Sequence, residues 1–377
     1  MSRFCKAPWM TISTDVNGSV RPCCRYKQPK RQYEYRTPWM KNGDLNYVWN
    51  SNEMQSIRKA FLDGKEPEEC KWCWDEEHAG VVSFRQTYNN RLYDIKTDST
   101  IADPPKIYDL KLSNVCNLKC RMCSPQASSL IAKEENIDNP YLYSEKIIGT
   151  PNEDIFFNEW LPYMQELELT GGEPFFSSEN KILLQKISKT EYAKNIRVLI
   201  TTNGMFYDKK LLESLTHFKI VNFSFSIDDV GERLEYQRYG SDWKKIQNNL
   251  LNIKNNYQNF RVYIYRTVNI FNIWHLEDLD QFCIDNNIKI GDGLLHEPEE
   301  FCIQNVPDYI KDMIKEKYKY STRYNDIINF LDLHGNSNPI RMFNSLQKKD
   351  RIRNQSFSEV YPEWSDLLMY IEDLTYE

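Results

Sequence analysis

The chain has 377 residues, 41% hydrophobic and 27% charged, enough for two or three domains with a large core and too apolar for extensive disorder. A formal net charge of −6 and a pI near 5.6 argue against a general binder of nucleic acid or of anionic membranes, which needs clustered excess Lys and Arg. No window approaches the roughly 18 uninterrupted apolar residues of a membrane span, and MSRFCKAPWMTI has no signal-type apolar run, so a reducing cytoplasm is the expected compartment. Ten cysteines there point to metal ligation rather than disulfides.

Residues 1–100 read as a small metal-stapled unit. Cys5, Cys23 and Cys24 lie at one end, Cys70 and Cys73 at the other. Between them the spacing predicts a helix over NEMQSIRKAFLDG (52–64), stopped by Gly64. The basic stretch KQPKRQYEYR, with Lys27, Lys30, Arg31 and Arg36, reads as a solvated loop.

Residues 101–300 alternate β-rich runs with helical patterns. The predicted strands are KIYDLKLS (106–113), ELELTGG (166–172), IRVLITTNG (196–204), IVNFSFSIDD (220–229), FRVYIYRTVN (260–269) and IKIGDGLL (288–295). Such alternation implies parallel strands with crossover helices. Asp109, Lys111 and Ser113 share one face of the first strand, Glu168 and Thr170 one face of the second, and Asn222, Ser224, Ser226 and Asp228 one face of the fourth. A doubly wound sheet would be apolar on both faces. The pattern therefore predicts an α/β fold, a partial (β/α)6 TIM-like barrel, open on one side and lined by polar groups around a ligand cavity.

Residues 301–377 show helical periodicity in PDYIKDMIKEKY and SEVYPEWSDLLMYIED and carry no motif; they read as a helical C-terminal extension. Cys283 and Cys302 stand apart and read as plain buried or semi-buried thiols.

The chemistry concentrates in short segments at strand ends. NVCNLKCRMC places Cys116, Cys120 and Cys123 in a C-x3-C-x2-C pattern. Four thiolates would close the shell of a zinc ion or a cubane cluster; three leave one metal position open. TGGEP (170–174) has adjacent glycines that let backbone approach a ligand closely. TTNG (201–204) and SIDD (226–229) add short hydroxyl, amide and carboxylate groups at carboxyl ends of strands, where barrel enzymes build their sites.

This set resembles the signature of the radical S-adenosylmethionine (radical SAM) superfamily. The resemblance implies that Cys116, Cys120 and Cys123 hold a [4Fe-4S] cluster whose fourth iron is chelated by SAM. It implies SAM contacts from Gly171, Gly172 and Glu173, from Thr202 and Asn203, from Ser226 and Asp228, and from Arg238 in EYQRYG, against the SAM carboxylate. Met122 stands where many members have an aromatic residue.

The first unit runs Cys5, twelve residues, Gly18, four residues, Cys23, and later CKWC from Cys70 to Cys73. It is similar to the auxiliary-cluster module called SPASM, or twitch when shortened to one cluster. That similarity implies a second [4Fe-4S] cluster on Cys5, Cys23, Cys70 and Cys73. Cys24 could take the place of Cys23, though the glycine spacing favours Cys23, and spacing alone leaves a four-thiolate zinc site open. The usual order has this module after the barrel; here it comes first.

The implied activity is reductive SAM cleavage to a 5′-deoxyadenosyl radical and hydrogen abstraction from a substrate. A peptide or amino-acid side chain is favoured over a small sugar, nucleotide or cofactor, and a reductant such as flavodoxin or ferredoxin is the expected partner. Asp109, Lys111, Glu168, His296 and Glu297 are cavity candidates without an assigned catalytic role. The rival of another class is an iron–sulfur or zinc sensor or electron carrier, which would need the cysteines but not GGEP, TTNG or SIDD.

Overall fold

The computed structural model describes residues 3–16, 20–27, 48–137, 152–333, 335, 338–365 and 367. Gly18, most of the basic stretch and the end of SEVYPEWSDLLMYIED lie outside them. Among the described residues no helix is long and apolar enough to cross a membrane.

All six expected strands are present. In chain order the strands are β1 (Thr11–Thr14), β2 (Val20–Arg21), β3 (Ile107–Leu110), β4 (Lys119–Cys120), β5 (Glu166–Leu169), β6 (Arg197–Thr202), β7 (Ile220–Ser226), β8 (Arg238–Tyr239), β9 (Phe260–Val268) and β10 (Lys289–Leu294). The main sheet has the order β10-β9-β7-β6-β5-β3-β1-β2. Every pair from β10 to β1 is parallel, and β2 runs antiparallel to β1.

Alternation along the strands sorts the two faces. Tyr108, Leu110, Leu167, Leu169, Val198, Ile200, Phe223 and Phe225 are fully buried on the outer face. They pack in one core with Leu183, Leu184, Leu211, Leu215 and Leu250 from the crossover helices. The inner face keeps the polar set. Asp109 Oδ2 accepts from Ser13 Oγ at 2.6 Å and its Oδ1 from Thr170 Oγ1 at 3.2 Å. Glu166 and Glu168 share Arg91, at 3.0 and 3.3 Å. Burial, then the neighbouring Asp109 carboxylate, pushes the Glu168 carboxyl up to about 8.

The N-terminal unit is built into this sheet. β1 extends it beyond β3, with Ser13 opposite Asp109. The helix Asn52–Leu62, capped by Ser51, buries Arg58, which donates to the carbonyls of Pro8 at 2.8 Å, Trp49 at 2.8 Å and Thr100 at 2.9 Å. A buried guanidinium with carbonyl partners from three segments ties the unit together. The sheet's two edges meet through it. Arg25, just past β2, pairs with Glu76, and Glu76 Oε1 lies 3.0 Å from His296 Nε2, just past β10. Trp72 stacks on His296 at 5.2 Å, and Lys27 bonds Glu297 at 3.0 Å.

The C-terminal helices Asp308–Tyr318, Asn325–Leu331 and Pro339–Arg353 form a second core with Phe271, Phe301, Phe357, Tyr361 and Trp364. Cys283 and Cys302 are buried, as expected.

Candidate active site and cysteine clusters

The motif segments converge at one end of the sheet because each follows the carboxyl end of a parallel strand. The three-cysteine loop follows β3, GGEP follows β5, TTNG closes β6 and SIDD closes β7. Gly172 has φ +54°, and a Cβ there would lie 2.3 Å from the Val115 carbonyl oxygen. The Glu173 N–H donates to that same carbonyl at 2.9 Å. Glycine is thus what lets GGEP lie against the cysteine loop.

Glu173 is buried, and its carboxylate accepts three bonds. These come from the Phe175 N–H at 3.0 Å, Thr202 Oγ1 at 2.8 Å and the Asn203 N–H at 2.7 Å. Burial outweighs these donors and holds its carboxyl up at about 7. Thr202 and Asn203, expected as cofactor contacts, use donors to position Glu173. The Asn203 side chain also donates to Asn117 Oδ1 inside the cysteine motif at 2.8 Å.

Asp228 and Arg238 pair with each other. Asp228 Oδ2 accepts from Arg238 Nε at 2.8 Å and Nη2 at 2.7 Å, and Oδ1 accepts from the Thr267 N–H at 2.8 Å. Arg238 Nη1 lies 3.8 Å from Cys120 Sγ, and β8 pairs with β4 so that Arg238 sits opposite Cys120. Arg238 is therefore directed at a cysteine sulfur and favours its thiolate. Ser226 is half-buried at the end of β7.

Cys116 and Cys120 are buried, whereas Cys123 is half-buried and lines a cavity of about 1060 Å³. Burial pushes the Cys116 and Cys123 thiols up to about 12, and Cys120 adds to both. Three neighbouring thiols that resist ionisation, with an adjacent guanidinium and one side open to a cavity, fit a cationic cluster with one free metal position. Met122, Tyr265, Thr267 and His296 also line this cavity.

Cys5, Cys23, Cys70 and Cys73 line a second, small cavity with Tyr26, Phe61, Phe84, Tyr88, Arg25 and Arg85. CKWC brings its cysteines together because Cys70 caps the helix Lys71–His78 and Cys73 lies one turn on. Cys5 is fixed from both sides. The Phe4 carbonyl accepts from Arg85 and from Asn89, each at 2.7 Å, and Asn89 Oδ1 accepts from the Lys6 N–H at 2.8 Å. The Cys23 segment is tied to CKWC by a Lys27 N–H to Glu69 carbonyl bond of 2.9 Å. Burial raises all four thiols, with mutual repulsion adding to Cys5, Cys23 and Cys70. The four thiols line one small space, a donor set that fits a cluster. Cys24 lines the large cavity instead; its thiol is raised to about 11, chiefly by burial and then by Asp109.

Arg25 and Phe84 line both cavities and form the wall between them. Neither was picked out in the sequence, where an arginine after a cysteine pair and a lone Phe carry no pattern. Of the other candidates, Asp109 and Glu168 lie on the inner face, His296 lines the large cavity, and Glu297, also on its rim, is spent on Lys27.

Sequence comparison matches residues 110–283 to the radical SAM superfamily and residues 5–74 to the SPASM iron–sulfur cluster-binding domain. The GTP 3′,8-cyclase of Aquifex aeolicus (strain VF5) is 31% identical over 116 residues, which are 29% of this chain and 32% of that protein. Among solved structures, anSMEcpe with bound AdoMet is 18% identical with a TM-score of 0.40, covering 67% of this chain and 61% of that one. Streptococcus suis SuiB bound to precursor peptide SuiA is 15% identical with a TM-score of 0.35, covering 76% and 58%. The chain spans about a third of the curated relative and about three-fifths of these solved chains. The chain thus carries a radical SAM domain, of the kind that uses SAM and a [4Fe-4S] cluster, and ahead of it a SPASM iron–sulfur cluster-binding domain.

Proposed function

We propose that this chain cleaves SAM at the Cys116, Cys120 and Cys123 site and abstracts hydrogen from a peptide or amino-acid side chain held in the large cavity. In this reading Cys5, Cys23, Cys70 and Cys73 hold an auxiliary cluster that exchanges an electron with the substrate. The observation that carries it is the wall formed by Arg25 and Phe84, one residue layer between the four-cysteine cavity and the cavity that Cys123 opens into.

When bound, a [4Fe-4S] cluster at the three-cysteine site supplies the electron that splits the SAM sulfonium into methionine and a 5′-deoxyadenosyl radical. The chain's own residues prepare the place. Glu173 holds the GGEP loop to Thr202 and Asn203, so the glycine backbone stays against the cysteine loop. Arg238, fixed by Asp228, favours the thiolate of Cys120. Met122 and Leu294 give the cavity apolar surface. At about 1060 Å³ the cavity is at the upper end for a small-ligand site. None of the expected SAM contacts lines it, so the volume is counted as room for a side chain delivered from outside.

The test is anaerobic. Reconstituted protein, SAM and dithionite should yield 5′-deoxyadenosine, and the variant with alanine at Cys116, Cys120 and Cys123 should yield none. Absence from the native chain at full iron loading would sink the reading. A second reading, nucleotide modification, draws on the matched segment of the GTP 3′,8-cyclase and on Arg341, Lys348 and Lys349 in the cavity wall, which could meet phosphates. It would be favoured if GTP, and not a peptide pool, raised the rate of 5′-deoxyadenosine formation.

A further inference from the structure

The matched regions end at residue 283, and the sequence beyond 301 carried no motif. Yet the helix Pro339–Arg353 packs behind the three-cysteine loop, and the residue it grips is inside the motif. Arg121, between Cys120 and Met122, is fully buried. Its Nη2 donates to Asp350 Oδ1 at 2.5 Å and to Gln355 Oε1 at 2.9 Å, and its Nε to the Tyr236 carbonyl at 3.1 Å. The guanidinium lies 3.6 Å from the centre of the Tyr236 ring. The backbone of the same residue is held as firmly. Its N–H donates to the Gln237 carbonyl at 2.8 Å, and its carbonyl accepts from Lys349 Nζ at 3.0 Å.

Asp350 is itself fixed. Oδ1 also accepts from Tyr236 OH, and Oδ2 accepts from the Phe357 N–H, each at 2.7 Å. Burying a guanidinium is costly unless charge-assisted bonds compensate it, so this network leaves the loop a single geometry. The helix also carries cations toward the sulfurs. Lys349 lines the cavity with Cys123, its Nζ on the carbonyl of Arg121 two residues before that cysteine. Arg353, paired with Glu134, lies over the ring of Tyr239, the strand partner of Lys119 beside Cys120.

We propose that the helix Pro339–Arg353 is part of the three-cysteine site: through Arg121, Asp350 and Lys349 it fixes the loop and sets the field in which a cluster bound there changes charge. Arg121 and Asp350 are positioning residues. The inference rests on the cluster-binding reading of Cys116, Cys120 and Cys123.

Reduction adds negative charge to a cluster. Loss of a nearby anion therefore favours the reduced state, and loss of a nearby cation disfavours it. The experiment is a redox titration of the reconstituted full chain, followed by electron paramagnetic resonance at the signal that changes on adding SAM, which marks the cluster with the open position. Asp350→Asn should move its midpoint potential in the positive direction, Lys349→Met in the negative direction, and Asp350→Glu should restore the native value. Native-like potentials in both variants, or shifts of the same sign, would overturn the inference while leaving SAM binding intact. Should Asp350→Asn fail to load iron or to melt like the native chain, Lys349→Met decides alone: a negative shift supports the inference and no shift overturns it. If the native chain has no SAM-responsive signal, the cluster-binding reading itself falls, and this inference with it.

Discussion

Cys23 and Cys24 are adjacent in sequence and face different cavities, Cys23 the one lined by Cys5, Cys70 and Cys73, and Cys24 the large one lined by Cys123. The glycine spacing favours Cys23 as the auxiliary ligand with Cys24 as the substitute, and it is Cys23 that lines the cavity of the other three. Cys23→Ala should remove roughly four irons per chain, the content of one cubane cluster. Cys24→Ala should keep full iron loading. Iron and sulfide analysis after anaerobic reconstitution checks both, and iron loss in Cys24→Ala with retention in Cys23→Ala would reverse the assignment.

The close approach at Gly172 gives a second prediction. A methyl group there meets backbone at 2.3 Å, and φ +54° is strained for any L side chain, so Gly172→Ala must push GGEP away from the cysteine loop. SAM affinity should fall at least tenfold, about 1.4 kcal/mol. Gly64→Ala is the control. Its φ of +71° is comparable, but nothing lies within 4 Å of the added carbon, so it should cost only about 1 kcal/mol of stability and leave SAM affinity unchanged. Equilibrium dialysis of both reconstituted variants separates local strain from displacement of the loop.

The six barrel strands, the three-cysteine loop and CKWC were legible because their signal is local: a period of two on one strand, or a spacing of three or four within one loop; joining Cys5 and Cys23 to CKWC took the likeness to the SPASM module. β1 was not. TIST is only four residues long, too short for its alternation to stand out, and its partner β3 lies about a hundred residues on. Arg121 and Asp350 were invisible for the same reason. Their bond spans 229 residues, and neither stands in a pattern that announces a partner. The sequence also placed Thr202, Asn203 and Asp228 at the carboxyl ends of their strands, and it marked Arg238 in EYQRYG without the short strand β8 that sets it opposite Cys120.

Glu173 should make stability fall with rising pH. Burial raises its carboxyl from 4.5 to about 7, so the native state binds the proton more tightly than the unfolded chain. The protonated form's advantage is fully present below 4.5 and is lost as pH rises through 7. The span corresponds to on the order of 3 kcal/mol. Glu173→Gln cannot ionise, and its amide nitrogen would face donors such as the Asn203 N–H, so the variant should be less stable at low pH yet lose less between pH 5 and pH 8. Urea midpoints across that range check it. Glu168, raised to about 8, adds the same kind of slope to both proteins and cancels in the difference. Parallel curves for the two proteins would rule out Glu173 as a source of the slope.

The last prediction concerns the seam between the sheet's two edges. Glu76 is nearly fully buried, takes Arg25 from the β2 side and contacts His296 from the β10 side. Glu76→Gln leaves the Arg25 guanidinium without its carboxylate next to Cys24, and removing one partner of a buried pair costs about 3 kcal/mol or more. The loss should not stay local. Arg25 forms the wall between the two cavities, so loosening it exposes the four-cysteine cavity to the large one and to solvent. In air, Glu76→Gln should therefore lose iron from the Cys5, Cys23, Cys70 and Cys73 site several-fold faster than the native chain, with the three-cysteine site unchanged in its response to SAM. The decay of iron–sulfur absorbance after exposure to air, followed in both proteins, measures this. Equal decay rates would mean that the seam holds the two edges together without shielding the cluster site.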